Sequence, residues 1–417
     1  MLHTALTVLL SMPHVVGVPA RVRPDDAVLG TNIVNGSLRL VRDQAIIPTP
    51  WSAPVARWVE FDNSGALGHN PDGNLLAVKQ FDDVLGSGII HNVATNGTAD
   101  FQVIGDTAGT GAPAGTLQKD WLNGLSANQS NTRIALTGGD FGRVIVFDYD
   151  AGPTPGTGAG ATLSRGRQSA AFLPTFLQGN RAKIQGTCWL DSDTIAVLAA
   201  TGDVYLLDSE TMQHSLAAHV DVAPATNIDN YTIVVDIEYN RAISPYLYAL
   251  YSDFNNATAA KRTRLAVLDP RFGMAPALQG IWDFGTAIDS PREIAFNSAG
   301  DLLTYTFGTA ANRGKLMKIP GAASPANIAD NSAALEFQST FAEPFPGLDI
   351  ACATPIPAEC RGDINFDGRT DTADLVQLLL RFGRAVPIGQ NGDLDRSGFV
   401  NTTDLTLLLV GFGCSGQ

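Results

Sequence analysis

Asp363-Ile-Asn365-Phe-Asp367-Gly368-Arg369-Thr-Asp371-Thr372-Ala373-Asp374 is written a second time thirty residues later, as Asp393-Leu-Asp395-Arg-Ser397-Gly398-Phe399-Val-Asn401-Thr402-Thr403-Asp404. Oxygen-bearing side chains fall at positions 1, 3, 5, 9 and 12 of each copy, with glycine at 6. That spacing wraps a loop around one hard cation. Ca2+ takes roughly six to eight oxygens, supplied by side chains and by the main-chain carbonyl of position 7, here Arg369 and Phe399. Gly368 and Gly398 stand where the chain must turn sharply, which glycine does without a Cβ clash. Position 12 is Asp in both copies, not the Glu of ordinary loops of this kind. Its shorter reach predicts a tighter or wetter coordination sphere. Two Ca2+ ions are the expected cofactors. Loop one offers Asp363, Asp367, Asp371 and Asp374, whereas loop two offers Asp393, Asp395 and Asp404 with Ser397 and Asn401. The charge count therefore predicts tighter binding in loop one.

The segment after each loop also repeats. Leu375, Leu378, Leu379 and Phe382 lie at helical spacing, as do Leu405, Leu408, Leu409 and Phe412. Gly383 and Gly413 mark the helix ends. Two loop–helix units with matched stripes are expected to pack about a pseudo-two-fold axis.

On these residues, segment 360–414 resembles a pair of type I dockerin repeats. Cys360 before loop one and Gly413-Cys414 after the second helix are similar to the GC-type subgroup. The resemblance implies a small, all-α, non-catalytic module of secreted bacterial proteins that folds on calcium and docks a cohesin on a scaffold or surface protein. It also implies a Cys360–Cys414 bond clasping the module, contributing ~4 kcal/mol by loop closure. In that family, partner choice lies at loop positions 10 and 11, here Thr372, Ala373, Thr402 and Thr403. The helix residues beyond them, Leu379, Leu380, Leu409 and Val410, are apolar where many dockerins carry a polar or basic residue. The implied partner is thus a cohesin-like or other extracellular surface protein.

The body, about 24–355, shows little helical periodicity. Short β-rich runs alternate with Gly, Asn, Asp and Pro turns. One element recurs every fifty to sixty residues: Gly36-Ser-Leu-Arg-Leu-Val, Gly86-Ser-Gly-Ile-Ile-His, Gly142-Arg-Val-Ile-Val-Phe, Gly202-Asp-Val-Tyr-Leu-Leu, Arg264-Leu-Ala-Val-Leu and Gly314-Lys-Leu-Met-Lys-Ile. A second element precedes the later ones, at 66–73, 124–130, 186–191, 235–240 and 293–300, and reads as an inner strand. Next come strands such as Asn74–Val78, Thr132–Leu136, Thr194–Leu198 and Asp301–Tyr305. The period is that of propeller blades, and the phrase Asn70-Pro-Asp-Gly-Asn-Leu-Leu-Ala-Val78 resembles WD40-like and lactonase-like propellers. The N-terminal run from Ala27 lacks a first blade strand, and Gly347–Cys352 is a first strand with nothing after it. One blade built from both ends would close a ring without free edges. The expected fold is therefore mostly β, with six blades over 21–354, a Pro-rich linker at 355–359 and the calcium module at 360–417. Five or seven blades, or a pair of irregular β-sandwiches, are the alternatives.

The chain has 417 residues and a net charge of −14, with no basic cluster to neutralise phosphates, which argues against a nucleic-acid partner. Residues 1–20 read as a signal peptide with a short apolar run, Leu6–Leu10, and a small-residue site at Val18-Pro-Ala20. No Lys or Arg precedes Arg21. No stretch reaches the length of a membrane span. Secretion or display at the cell surface is the expected location. Cys188 and Cys352 read as two buried thiols or as a bridge.

Carboxylates at propeller strand ends, Asp72, Asp191, Asp193, Asp236, Glu238, Glu293 and Asp349, are the candidates for hydrolytic or metal chemistry, with His69. No nucleophile elbow, zinc helix or phosphate loop is present. Trp51, Trp58, Trp121, Trp189 and Trp282 form no clustered sugar platform in the sequence. No catalytic residue is assigned. The expected function is a calcium-binding tail anchoring a propeller that binds or scaffolds. The alternative is a tethered glycoside hydrolase acting in polysaccharide breakdown.

Overall fold

The computed structural model describes residues 23, 25–30, 38–47, 58–61, 75–79, 89–93, 101–106, 122–128, 130–138, 142–153, 160–172, 186–199, 201–220, 230–255, 260–271, 278–285, 287–288, 291–306, 314–338, 347–350, 360–365, 367–386 and 389–415. The expected signal segment, the 355–359 linker, His69, Asp72 and Cys352 lie outside them.

The described strands make a mostly-β propeller followed by two helices. In chain order they are β1 (Ala27–Gly30), β2 (Leu38–Arg42), β3 (Ala45–Ile47), β4 (Trp58–Phe61), β5 (Leu75–Lys79), β6 (Ile89–Val93), β7 (Phe101–Asp106) and β8 (Leu122–Ala127). Then come β9 (Arg133–Gly138), β10 (Arg143–Asp150), β11 (Thr162–Gln168), β12 (Thr187–Trp189), β13 (Thr194–Leu198), β14 (Asp203–Asp208), β15 (His214–His219) and β16 (Asn230–Glu238). The last are β17 (Leu247–Asn255), β18 (Ala260–Leu268), β19 (Leu278–Gly285), β20 (Pro291–Phe296), β21 (Leu302–Thr306), β22 (Lys315–Ile319), β23 (Ala334–Gln338) and β24 (Gly347–Ile350). They pair antiparallel into six four-stranded sheets. Five are consecutive meanders, and the sixth has the order β24-β1-β2-β3. There Ala27 faces Ile350 and Gly30 faces Gly347, so the two ends of the body share one sheet. The inner strands β24, β4, β8, β12, β16 and β20 pack side by side in a ring.

The middle strands explain the continuous apolar runs. β13 and β21 are buried along their whole length because neighbouring sheets cover both faces. Between the third and fourth sheets in chain order, Ala135, Val144 and Val146 meet Trp189, Ile195 and Val197. Between the closing sheet and the one before it, Ala27, Leu29 and Val41 meet Ala295, Tyr305 and Leu316. Polar stitches join inner strands: Ser126 Oγ lies 3.1 Å from Thr187 Oγ1, and the Ile294 amide donates to Asp236 at 2.9 Å. The expected inner strand at 66–73 lies outside the described residues, and among the described strands β4 is the inner one of the second sheet.

The tail carries α1 (Thr372–Arg381) and α2 (Thr402–Gly411). Each starts at a reciprocal cap. Asp371 accepts from the Ala373 amide, and Asp374 accepts from the Asp371 amide; Asn401 and Asp404 repeat this for α2. Loop positions 9 and 12 therefore also found the helix. Gly383 and Gly413 end the helices at φ +76° and +84°, a conformation that favours glycine. The pseudo-symmetry is visible in paired bonds: Gly383 N donates to Val400 O and Gly413 N to Thr370 O, both at 2.8 Å.

The apolar stripes correct the expectation from spacing. Leu378 and Leu408 are fully buried with Ile364 and Val400, and Leu375 and Leu405 pack partly against them. Leu379, Phe382, Leu409 and Phe412 face solvent instead. Each ten-residue helix buries only Leu378 or Leu408 fully among its apolar residues, and a unit this small cannot bury a wider stripe.

Candidate metal centre

Each tail loop folds its side chains inward onto its own backbone. In loop one, Asp363 accepts from the amides of Asp367 (3.1 Å) and Gly368 (2.8 Å). Asn365 accepts from Asp367 N at 2.9 Å, and Asp367 accepts from Arg369 N at 3.0 Å. Asp374, fully buried, accepts from Ile364 N at 2.7 Å and Asn365 N at 3.0 Å. In loop two, Asp393 accepts from Ser397 N (2.9 Å), Gly398 N (2.8 Å) and Gly389 N (2.9 Å). Asp404 accepts from Asp395 N at 2.9 Å. Both Ser397 Oγ and Asn401 Nδ2 donate to the Phe399 carbonyl at 3.1 Å, so positions 5 and 9 meet the carbonyl of position 7.

Carboxylate oxygens of Asp393, Asp395 and Asp404 lie within 4.8 Å of one another. Ligand oxygens at roughly 2.3–2.6 Å from one Ca2+ can be no more than about 5 Å apart, so this trio fits a common ion. Among the described residues it is the one acidic, histidine or cysteine trio so placed. The four loop-one carboxylates are not drawn together as tightly, and Asn365 stands where loop two has Asp395.

The electrostatics match crowded carboxylates. Burial, then the charges of Asp374 and Asp367, push Asp363 up to about 6 against the hydrogen bonds from Gly368 and Asp367. Burial also pushes Asp393 up, whereas Asp395 is held below the ordinary carboxylate range, chiefly by Ser397. A bound cation would relieve this repulsion.

Cys360 and Cys414 are joined, 54 residues apart, and Cys188 is buried. Thr372, Ala373, Thr402 and Thr403 are exposed at the helix starts. On α1, Val376, Leu379 and Leu380 extend that face along the helix; on α2, Thr406, Leu409 and Val410 do so. The result is a duplicated solvent-facing apolar surface.

Three of the propeller carboxylates have structural partners. Asp191 accepts from the amides of Asp193 (2.7 Å) and Thr194 (2.6 Å), closing the β12–β13 turn. Asp193 pairs with Arg133 at 2.5 Å. Asp236 stitches two inner strands, Glu293 is buried on β20, and Glu238 and Asp349 lie on β16 and β24. A cavity of about 670 Å³ opens between propeller and tail, bordered by Leu190, Asp191 and Arg241 on one side and Gly362, Asp363 and Asp393 on the other. Spacing reasoning missed this seat, and with it Arg396 and Gln390. The one available signal was that loop two carries an arginine at position 4 where loop one carries Phe366.

No family model matches the chain, and no curated protein matches it either. Among solved structures, it is similar to a chain of a nidogen/laminin complex, with 11% identity and a TM-score of 0.47, covering 79% of this chain and 99% of that one. It is also similar to a putative 6-phosphogluconolactonase from Bacteroides uniformis, with 12% identity and a TM-score of 0.44, covering 80% and 98%. A putative 6-phosphogluconolactonase from Bacteroides fragilis gives 13% identity and a TM-score of 0.46, covering 78% and 97%. Likenesses at this level carry no activity or partner across to this chain.

Proposed function

We propose that the chain is a secreted or surface-displayed protein whose dockerin-like tail binds two calcium ions and anchors a propeller that binds or scaffolds outside the cell. The observation that carries this reading is the convergence of loop positions 1, 3 and 12 in Asp393, Asp395 and Asp404. Calcium would be held in loop two by these three with Ser397, Asn401 and the Phe399 carbonyl. In loop one, Asp363, Asn365, Asp367, Asp371, Asp374 and the Arg369 carbonyl would hold it. The ion supplies charge neutralisation and a fixed loop shape, and with that the register of the helices. The Cys360–Cys414 bond suits an oxidising exterior.

The docking face would be the exposed one, from Thr372-Ala373 and Thr402-Thr403 along to Leu380 and Val410. Its occupant is a cohesin-like or other extracellular surface protein with an apolar groove. Direct binding of the purified chain to immobilised recombinant cohesin modules, in calcium and in chelator, tests the anchoring. Calcium-dependent binding abolished by Leu380→Glu with Val410→Glu is the expected result. Binding to no cohesin, or binding indifferent to both changes, removes that partner class.

A further inference from the structure

Arg396, at loop-two position 4, reaches out of the tail onto the propeller. Its Nε donates to Asp208, whose side chain is only 2% exposed, and its Nη2 donates to Asp193 O at 3.4 Å. Gln390, the counterpart of Cys360 in the first half, donates from Nε2 to Ser215 Oγ at 3.2 Å. Asp208 ends β14. Its Oδ1 accepts from Glu210 N, Thr211 N and Thr211 Oγ1, which leaves Oδ2 for the arginine. Gly389 makes room: a Cβ there would lie 3.3 Å from the Arg396 guanidinium.

The direction of Arg396 is set by the loop around it. It stands at φ +62° between Asp395 and Ser397, positions 3 and 5. Without a cation, Asp393, Asp395 and Asp404 repel one another at close range. With one, the backbone on both sides of Arg396 is fixed, and docking no longer has to order it. We propose that calcium in loop two locks the tail onto the propeller through Arg396 and Asp208, with the β14–β15 turn as the receiving surface. The proposal rests on the reading of the tail as a calcium-binding module. By reciprocity, docking strengthens calcium binding in loop two by the factor by which calcium strengthens docking. Leu379, Leu380, Leu409 and Val410 do not border the seat, so the locked tail leaves its apolar face open to a partner.

Hydrogen exchange of the full chain reads the lock at propeller residues 208–215, which hold no calcium ligand. Calorimetry on the same samples counts the ions. The expected result is slow exchange with calcium and exchange about fivefold faster in chelator. Arg396→Ala in saturating calcium is expected to exchange as fast as the chelated wild type while still binding two ions, and Gln390→Ala to move part of the way. Two bound ions with exchange at 208–215 indifferent to chelator, or to Arg396→Ala, would overturn the lock and leave the calcium reading intact. Absence of calcium binding would overturn both.

Discussion

The two halves of the tail are near copies in backbone and are held in place by different forces. The covalent tie runs from the start of the first half to the end of the second: Cys360, just before loop one, is bonded to Cys414 after α2. In the second half Gln390 stands in the place of Cys360, and Arg396 stands where loop one has Phe366. Both of these second-half residues bond to the propeller. The duplicated unit thus carries a covalent closure between its halves and a docking contact on the second. Duplication preserved what the fold needs, the loop spacing and the Leu378 and Leu408 pair, and let the loop margins diverge.

The largest expected effect separates the halves covalently. Cys360→Ser with Cys414→Ser is expected to destabilise the tail by about 4 kcal/mol in chelator, read by thermal unfolding. An unchanged melting transition would mean that the helices close the module without the bond. Next, Asp374→Ala removes a helix cap and strands the buried Ile364 amide together with the Asn365 amide, at a cost of about 2–4 kcal/mol. Asp404→Ala is expected to cost a similar amount in the second half. Equal stability of either variant and wild type in chelator would show that the caps contribute nothing.

Proton competition should distinguish the loops more gently. Asp363, raised to about 6 by burial first and by its acidic neighbours second, favours its neutral form in the calcium-free fold. Its stabilising contribution is full below the ordinary carboxylate range and is lost as pH rises through about 6. Calcium needs the ionised form, so loop-one affinity should fall as pH drops below about 6. Loop two should respond less, because Asp393 is raised and Asp395 lowered. Calcium titrations on either side of that pH check this, and parallel losses in both loops would refute it. The smallest effect on folding belongs to Leu380→Glu and Val410→Glu. Both sites are exposed, and each change should shift stability by less than about 0.5 kcal/mol. A large loss would mean that this face packs within the chain.

Much of the strand pattern was legible because its signals are local. Thr194–Leu198 reads as a blade strand and is one, and the Asp191 turn before it is a side-chain-to-backbone motif. The incomplete blade at each end pointed to the β24–β1 pairing across the whole body. On α1 and α2, helical spacing marks an apolar face without saying what covers it, and Leu379, Phe382, Leu409 and Phe412 face solvent. The seat of Arg396 was not legible either. Asp208 lies 188 positions away in the chain, and no periodicity links a tail loop to a hairpin turn.

Calcium titration of the full chain by calorimetry tests the central claim most directly. The prediction is two bound ions with affinities differing by about tenfold, loop one the tighter. Asp363→Ala should abolish the tighter event and Asp393→Ala the weaker. A chain that takes up no calcium, or whose uptake survives Asp374→Ala combined with Asp404→Ala, would contradict it.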